Sequence, residues 1–258
     1  MYESQGSKFD EYYVKKLDTF SIIVTSKCNS KCIQCRYWTL SESTISIQEI
    51  KELLDFLKKY QVSKICITGG EPTLHPRITE ILKIFRTQMP PETKIVLFSN
   101  GLILDEYIDK ISSHVDIYVI SLDAATSATY RRIRGTSGFQ RVINAIKLIK
   151  IKNFKAYIEL TCTVQRENLK ELKDLFILAA KLKVNSIKFI TPVIRPGVFG
   201  WSGKSKKGEY VQKLIKHDNN ILTETLIDLL KLSDNYCLHN NLKDLLRILR
   251  SENRSFVA

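Results

Sequence analysis

Cys28, Cys32 and Cys35 crowd into eight residues of the run SKCNSKCIQC, with three and then two residues between them. Three thiolates at that spacing can wrap one metal centre. A structural zinc site takes a fourth protein ligand, yet His75 and His114, the next histidines, belong to later loops. An incomplete ligand set leaves a metal position open to a substrate or cofactor, which is the logic of a reactive site. The plainer alternative is a structural or adventitious metal, since such triplets also occur in incomplete zinc ribbons. Three further motifs follow at intervals: Gly69, Gly70, Glu71 and Pro72; then Ser99, Asn100 and Gly101; then Ser121, Leu122 and Asp123. Singly, each has a bland reading as a turn or a helix cap. In this order, each closing an apolar run, they are hard to explain as turns alone.

The elements that must position these residues alternate along the chain. Short β-branched runs at 19–25, 64–68, 94–99, 116–121, 155–164 and 186–191 read as strands. Amphipathic stretches at 46–60, 77–86, 105–112, 139–150 and 169–182 read as helices, the first opened by a capping box of Ser46 and Glu49. Repeated βα units predict a parallel sheet, here a partial six-stranded, TIM-like α/β barrel. All the motifs then fall at the C-terminal ends of strands, where barrel active sites are built. After Thr191 the run PVIRPGVFGWSGKSKKG breaks the pattern, and helical segments resume near 210–232 and 242–251. The expected division is an N-terminal segment 1–18, the barrel 19–191, and a linker with a helical C-terminal tail 192–258 that closes the barrel's open side or covers substrate.

The motif CxxxCxxC after the first strand, with GGEP after the second, resembles the radical S-adenosylmethionine (SAM) superfamily, and the resemblance covers about residues 20–191. It implies that Cys28, Cys32 and Cys35 ligate a four-iron four-sulfur cluster whose fourth iron is chelated by SAM. It also implies that Gly69, Gly70 and Glu71 receive the cofactor's amino group, with Pro72, Ser99 and Asn100 as further cofactor-binding residues on the same rim. Ser121 and Asp123 match the ribose-side positions, and Arg134 in RRIRG resembles the arginine that pairs with the cofactor carboxylate, with Arg131 and Arg132 as competitors for that role. The implied chemistry is reductive cleavage of the sulfonium, giving methionine and a 5′-deoxyadenosyl radical that abstracts hydrogen from a substrate.

Two departures from the family pattern stand out. The position before the third cysteine, often aromatic in relatives, is Gln34, leaving Tyr37 or Trp38 for the adenine. Many relatives also carry a cysteine-rich C-terminal extension, whereas after Cys162 this chain has only Cys237, too few for an auxiliary cluster. Either one cluster suffices or the chain stops before that extension. Alternation in the fifth strand sets Ile158, Leu160, Cys162 and Val164 under the helices and Glu159 and Thr161 inside the barrel. Glu159 is thus a candidate catalytic residue, with a structural ion pair as its alternative, and Lys188 is a weaker one. Cys66 and Cys162 read as core fillers. Cys237 is either a thiol that returns a hydrogen atom to a substrate radical, as in epimerases, or a buried small residue.

Composition bounds the rest. The chain has 258 residues and 44% hydrophobic content, enough for a substantial core. No apolar run approaches the roughly 18 residues of a membrane helix, and the opening MYESQGSKFDEYY lacks a signal peptide's pattern, so no membrane partner and a cytoplasmic location are expected. A net charge of +13 would suit a nucleic acid, but its Lys and Arg spread over nearly every helix, and the tighter groups Arg131, Arg132, Arg134 and Lys204, Lys206, Lys207 lack interleaved stacking aromatics. The expected partners are therefore a peptide, sugar or small-metabolite substrate and an electron donor such as flavodoxin or ferredoxin. A radical enzyme acting on transfer RNA is the rival within enzymes, and a non-catalytic metal-binding scaffold the rival outside them.

Overall fold

The computed structural model describes residues 16–190, 192, 224–225, 227–229 and 231–232. In chain order the elements are β1 (Lys16–Thr25), α1 (Ile47–Leu57), β2 (Gln61–Gly69), α2 (Ile78–Gln88), β3 (Lys94–Ser99), α3 (Ile108–Ile111), β4 (Ile117–Ser121), α4 (Ser127–Arg134), α5 (Phe139–Lys152), β5 (Tyr157–Thr163), α6 (Leu172–Lys181) and β6 (Ser186–Ile190). The six strands form one sheet in sequence order, every neighbouring pair parallel. This is the expected α/β partial barrel, open between its first and last strands.

Side chains alternating along each strand divide the sheet into an outer and an inner face. Outer residues Ile65, Ile67, Leu97, Tyr118, Ile120, Leu160, Cys162 and Phe189 are buried in one continuous core. The helices press their apolar stripes against it, for example Ile50, Leu54 and Leu57 of α1 and Ile81, Leu82 and Phe85 of α2. Inside, a smaller cluster of Cys66, Val96 and Val119 with Ile117 plugs the barrel below its mouth. Cys66 and Cys162 are thus packed in core, as expected. Strand β5 shows the division most cleanly, with Ile158, Leu160 and Cys162 buried and Tyr157, Glu159, Thr161 and Thr163 only partly so.

The capping box at α1 is formed: Glu49 N–H donates to Ser46 Oγ at 3.2 Å, and Ser46 N–H to Glu49 Oε2 at 2.7 Å. Three features depart from expectation. β1 and β2 begin at Lys16 and Gln61, because their ladder runs on through the pairs Lys16–Gln61 and Leu17–Val62, too short and mixed a stretch to show a period. The helix expected at 105–112 is a 3₁₀ turn, Leu104–Glu106, followed by the four-residue α3. α4 is an additional helix on SATYRRIR, a segment so polar that periodicity gave no sign of it; Thr126 caps its N-terminus and Gly135, left-handed at φ 65°, ends it. In the tail, the described residues between 224 and 232 are helical; Leu229 is buried in the main core and Asp228 pairs with Lys173 of α6 at 3.3 Å. The remainder of the expected 210–232 helix, the 242–251 helix and Cys237 lie outside the described residues.

Candidate active site

The loop after β1 carries the three cysteines and is clamped from both sides by backbone. On the β2 side, Gly70 N–H donates to Thr25 O at 2.8 Å and Glu71 N–H to Lys27 O at 2.7 Å. A Cβ on Gly70 would lie 2.2 Å from Lys27 O, so only glycine lets the two turns approach this closely. On the α4 side, Lys31 N–H donates to Arg134 O at 3.0 Å and Ile33 N–H to Ile133 O at 2.9 Å, which satisfies two carbonyls at that helix end. Between the clamps, the Asn100 side-chain amide donates to Asn29 Oδ1 at 2.7 Å and Ser30 Oγ at 3.2 Å. The loop is therefore held by six hydrogen bonds, four of them backbone to backbone.

Cys28, Cys32 and Cys35 line one cavity together with residues from the ends of the other five strands: Thr68 and Gly69, Phe98 and Ser99, Ser121, Thr161 and Thr163, and Ile190. Burial pushes the Cys28 thiol up to about 12 and raises that of Cys35, so a metal bound here must displace their protons. Among the described residues no group of three or more His, Cys, Asp or Glu is arranged to hold a lone metal ion. A multi-iron cluster needs its thiolates set around a larger body rather than converged on one point, and an all-cysteine donor set of three suits it. The donor set fits such a cluster.

Gly69, Gly70, Pro72, Ser99, Asn100, Ser121, Asp123 and Arg134 all line the cavity, whereas Glu71 does not. The Glu71 side chain is fully buried, and both of its oxygens are occupied. Oε1 accepts from Thr73 N–H at 3.2 Å, Thr73 Oγ1 at 2.6 Å and Ser99 Oγ at 2.9 Å, while Oε2 accepts from Asn100 N–H at 2.6 Å. Burial raises its pKa while those four donors pull the other way. The Glu71 side chain ties the β2 turn to the end of β3, and its neighbours Gly69, Gly70 and Pro72 form the cavity wall.

On the opposite wall, Asp123 and Arg134 form a buried ion pair, Oδ2 to Nε 2.8 Å. Gln34 Nε2 donates to the same Oδ2 at 3.0 Å, and Thr163 N–H to Oδ1 at 2.7 Å. Of the three candidate arginines, Arg131 and Arg132 are exposed and Arg134 is buried against the cavity. Burial opposes its charge, but Asp123 and Cys32 hold it firmly protonated. Gln34 thus serves Asp123. Of the two aromatic candidates Tyr37 lines the cavity, while Trp38 turns its indole N–H back to Cys35 O at 2.9 Å and lies exposed.

Glu159 faces the barrel interior but does not line the cavity, and its carboxylate accepts from Ser186 Oγ at 3.3 Å. Two residues of strand span about 6.6 Å, so Thr161 and Thr163 reach the mouth where Glu159 stays below it. Lys188, in register with Thr161, is exposed on the same inner face. Two residues carry structural weight that the sequence reading missed. Buried Asn168 donates from Nδ2 to Asp123 O and Thr163 O, each at 2.8 Å, joining the ends of β4 and β5. Glu171 accepts from Ala125 N–H at 3.1 Å, Thr126 N–H at 3.2 Å and the Thr129 hydroxyl, seating the N-terminus of α4. The one available signal was their place in the polar stretch QRENLKE at a strand's C-terminal end.

The sequence matches the radical SAM superfamily over residues 22–179, more than half of the chain. It is 27% identical over 165 residues to the AdoMet-dependent heme synthase of Methanosarcina barkeri, covering 62% of this chain and 46% of that one. It is 31% identical over 141 residues to a probable GTP 3',8-cyclase of Archaeoglobus fulgidus, covering 52% and 45%. The chain spans about half the length of these curated relatives. Among solved structures, Streptococcus suis SuiB bound to S-adenosylmethionine superposes with a TM-score of 0.70 at 16% identity, over 88% of this chain and 50% of that one, a likeness of fold. With three cysteines and a Gly-Gly turn at the mouth of a six-stranded parallel barrel, the chain belongs to the radical SAM superfamily, whose cofactors are a four-iron four-sulfur cluster and SAM.

Proposed function

We propose that this chain cleaves SAM reductively and uses the resulting radical to take a hydrogen atom from an unactivated carbon of a peptide, sugar or small metabolite. The observation that carries the reading is the convergence of the three thiols, on the loop after β1, and the ends of the other five strands on one cavity. Cys28, Cys32 and Cys35 hold the cluster. The Gly69–Gly70 backbone, Pro72, Ser99, Asn100, Ser121, Asp123 and Arg134 receive SAM; a guanidinium carries five N–H donors, so Arg134 can pair with Asp123, donate to Cys32 and still meet a cofactor carboxylate. Bound there, the two cofactors supply a 5′-deoxyadenosyl radical by one-electron cleavage of the sulfonium. Tyr37, Phe98, Ile190 and Pro192 give the cavity an apolar wall. Thr161, Thr163 and Lys188 offer hydrogen-bonding groups to a polar substrate. Flavodoxin or ferredoxin supplies the electron.

Protein reconstituted anaerobically with iron and sulfide is expected to be brown and, with dithionite and SAM, to release 5′-deoxyadenosine, measured by liquid chromatography. A colourless protein that retains zinc under the same treatment overturns the reading in favour of a metal scaffold.

A further inference from the structure

The three cluster thiols are served by different kinds of donor. Backbone N–H groups of their own loop reach Cys28, from Ser30, and Cys35, from Tyr37 and Arg36. Cys32 receives instead a side chain from a distant helix, with Arg134 Nη1 donating to its Sγ at 3.4 Å across 102 residues of sequence. Backbone donors are fixed by the loop's path, so they are present in any chain that folds this way. A side-chain donor is an independent variable.

Arg134 is held for this contact rather than passing through it. It is the last residue of α4, whose final carbonyls accept from Lys31 and Ile33, the residues on either side of Cys32. Its Nε lies 2.8 Å from Asp123 Oδ2 without the alignment of a hydrogen bond, so the carboxylate balances the charge while the fork points at sulfur. Asp123 is in turn fixed by Gln34 and by Thr163 N–H. Arg134 and Cys32 are both buried, where a charge-assisted hydrogen bond is strongest.

Resting on the assignment of Cys28, Cys32 and Cys35 as cluster ligands, we propose that Arg134, keyed by Asp123, is a positioning residue that sets the cluster's reduction potential through its hydrogen bond to Cys32. Reduction adds one negative charge to the cluster, and a donor on a ligating sulfur stabilises the more negative state. Losing that donor makes the cluster harder to reduce. Because Asp123 cancels the net charge of the guanidinium, the directed N–H···S bond carries the effect.

The test uses holoprotein loaded with iron and sulfide, without SAM, in an anaerobic redox titration followed by electron paramagnetic resonance. Wild type is compared with Arg134→Lys, which keeps the charge and loses the fork, and with the neutral pair Asp123→Asn, Arg134→Gln. Midpoints are expected to shift to lower potential in both, at iron contents per chain equal to wild type. Coinciding midpoints in the variants that hold a cluster overturn the proposal, as does a loss of iron with no change in the midpoint of what remains. A second readout needs no variant: pulsed resonance on reduced wild type grown with arginine isotopically labelled at nitrogen should show coupling to the cluster that Arg134→Lys lacks, and its absence in wild type counts equally against the proposal. If wild type binds no iron at all, the ligand assignment has failed and this proposal falls with it.

Discussion

The two walls of the cavity bury one carboxylate each and hold it in opposite ways. Glu71, between β2 and β3, is surrounded by four uncharged donors, two of them backbone N–H groups. Asp123, between β4 and β5, faces a cation from α4, a side-chain amide and one backbone N–H. The first arrangement is built almost wholly from neighbouring turns and can be undone but not rebalanced, because backbone donors cannot be mutated away. The second depends on one side chain, so charge can be removed from both partners at once. One wall is a fixed frame, and the other is adjustable.

The cavity that both walls enclose is broken most completely by Cys32→Ala, expected to abolish cluster content and 5′-deoxyadenosine release, read by iron analysis and chromatography. Next comes Glu71→Ala, which strands four buried donors and should cost about 4 kcal/mol or more in urea unfolding of the apoprotein. Asp123→Ala leaves a buried arginine unpaired and should cost about 3 kcal/mol. The contrast sharpens in the double variant Asp123→Asn, Arg134→Gln, expected to recover most of that loss; a double variant as unstable as Asp123→Ala would show that the pair is no more replaceable than the Glu71 frame. Smallest is Cys162→Ala, in the outer core under both walls, at about 1 kcal/mol with iron content unchanged. Loss of iron in that variant would reassign the ligands.

The strand and helix order, the cysteine triplet and the strand-end motifs were legible because each is a local property. Periods of two and 3.6 residues, a capping box and a CxxxCxxC spacing are set by residues a few positions apart. Their failure was local too: α4 is so polar that only its cap and terminal glycine marked it, and the helix read at 105–112 is a 3₁₀ turn followed by the four-residue α3.

What the amino-acid order determined by itself was therefore the six strands, most of the helices and the ring of motifs at one end of them. Tertiary structure alone decided which arginine of RRIRG turns inward, that Tyr37 rather than Trp38 meets the cavity, that Glu71 is a frame, and that Glu159 lies a pleat too deep to reach the mouth. It also recruited Asn168 and Glu171, whose partners lie more than forty residues away for their key bonds. The reason is physical: a side chain's job in a buried site depends on which distant donors and charges surround it, and no local period encodes those distances.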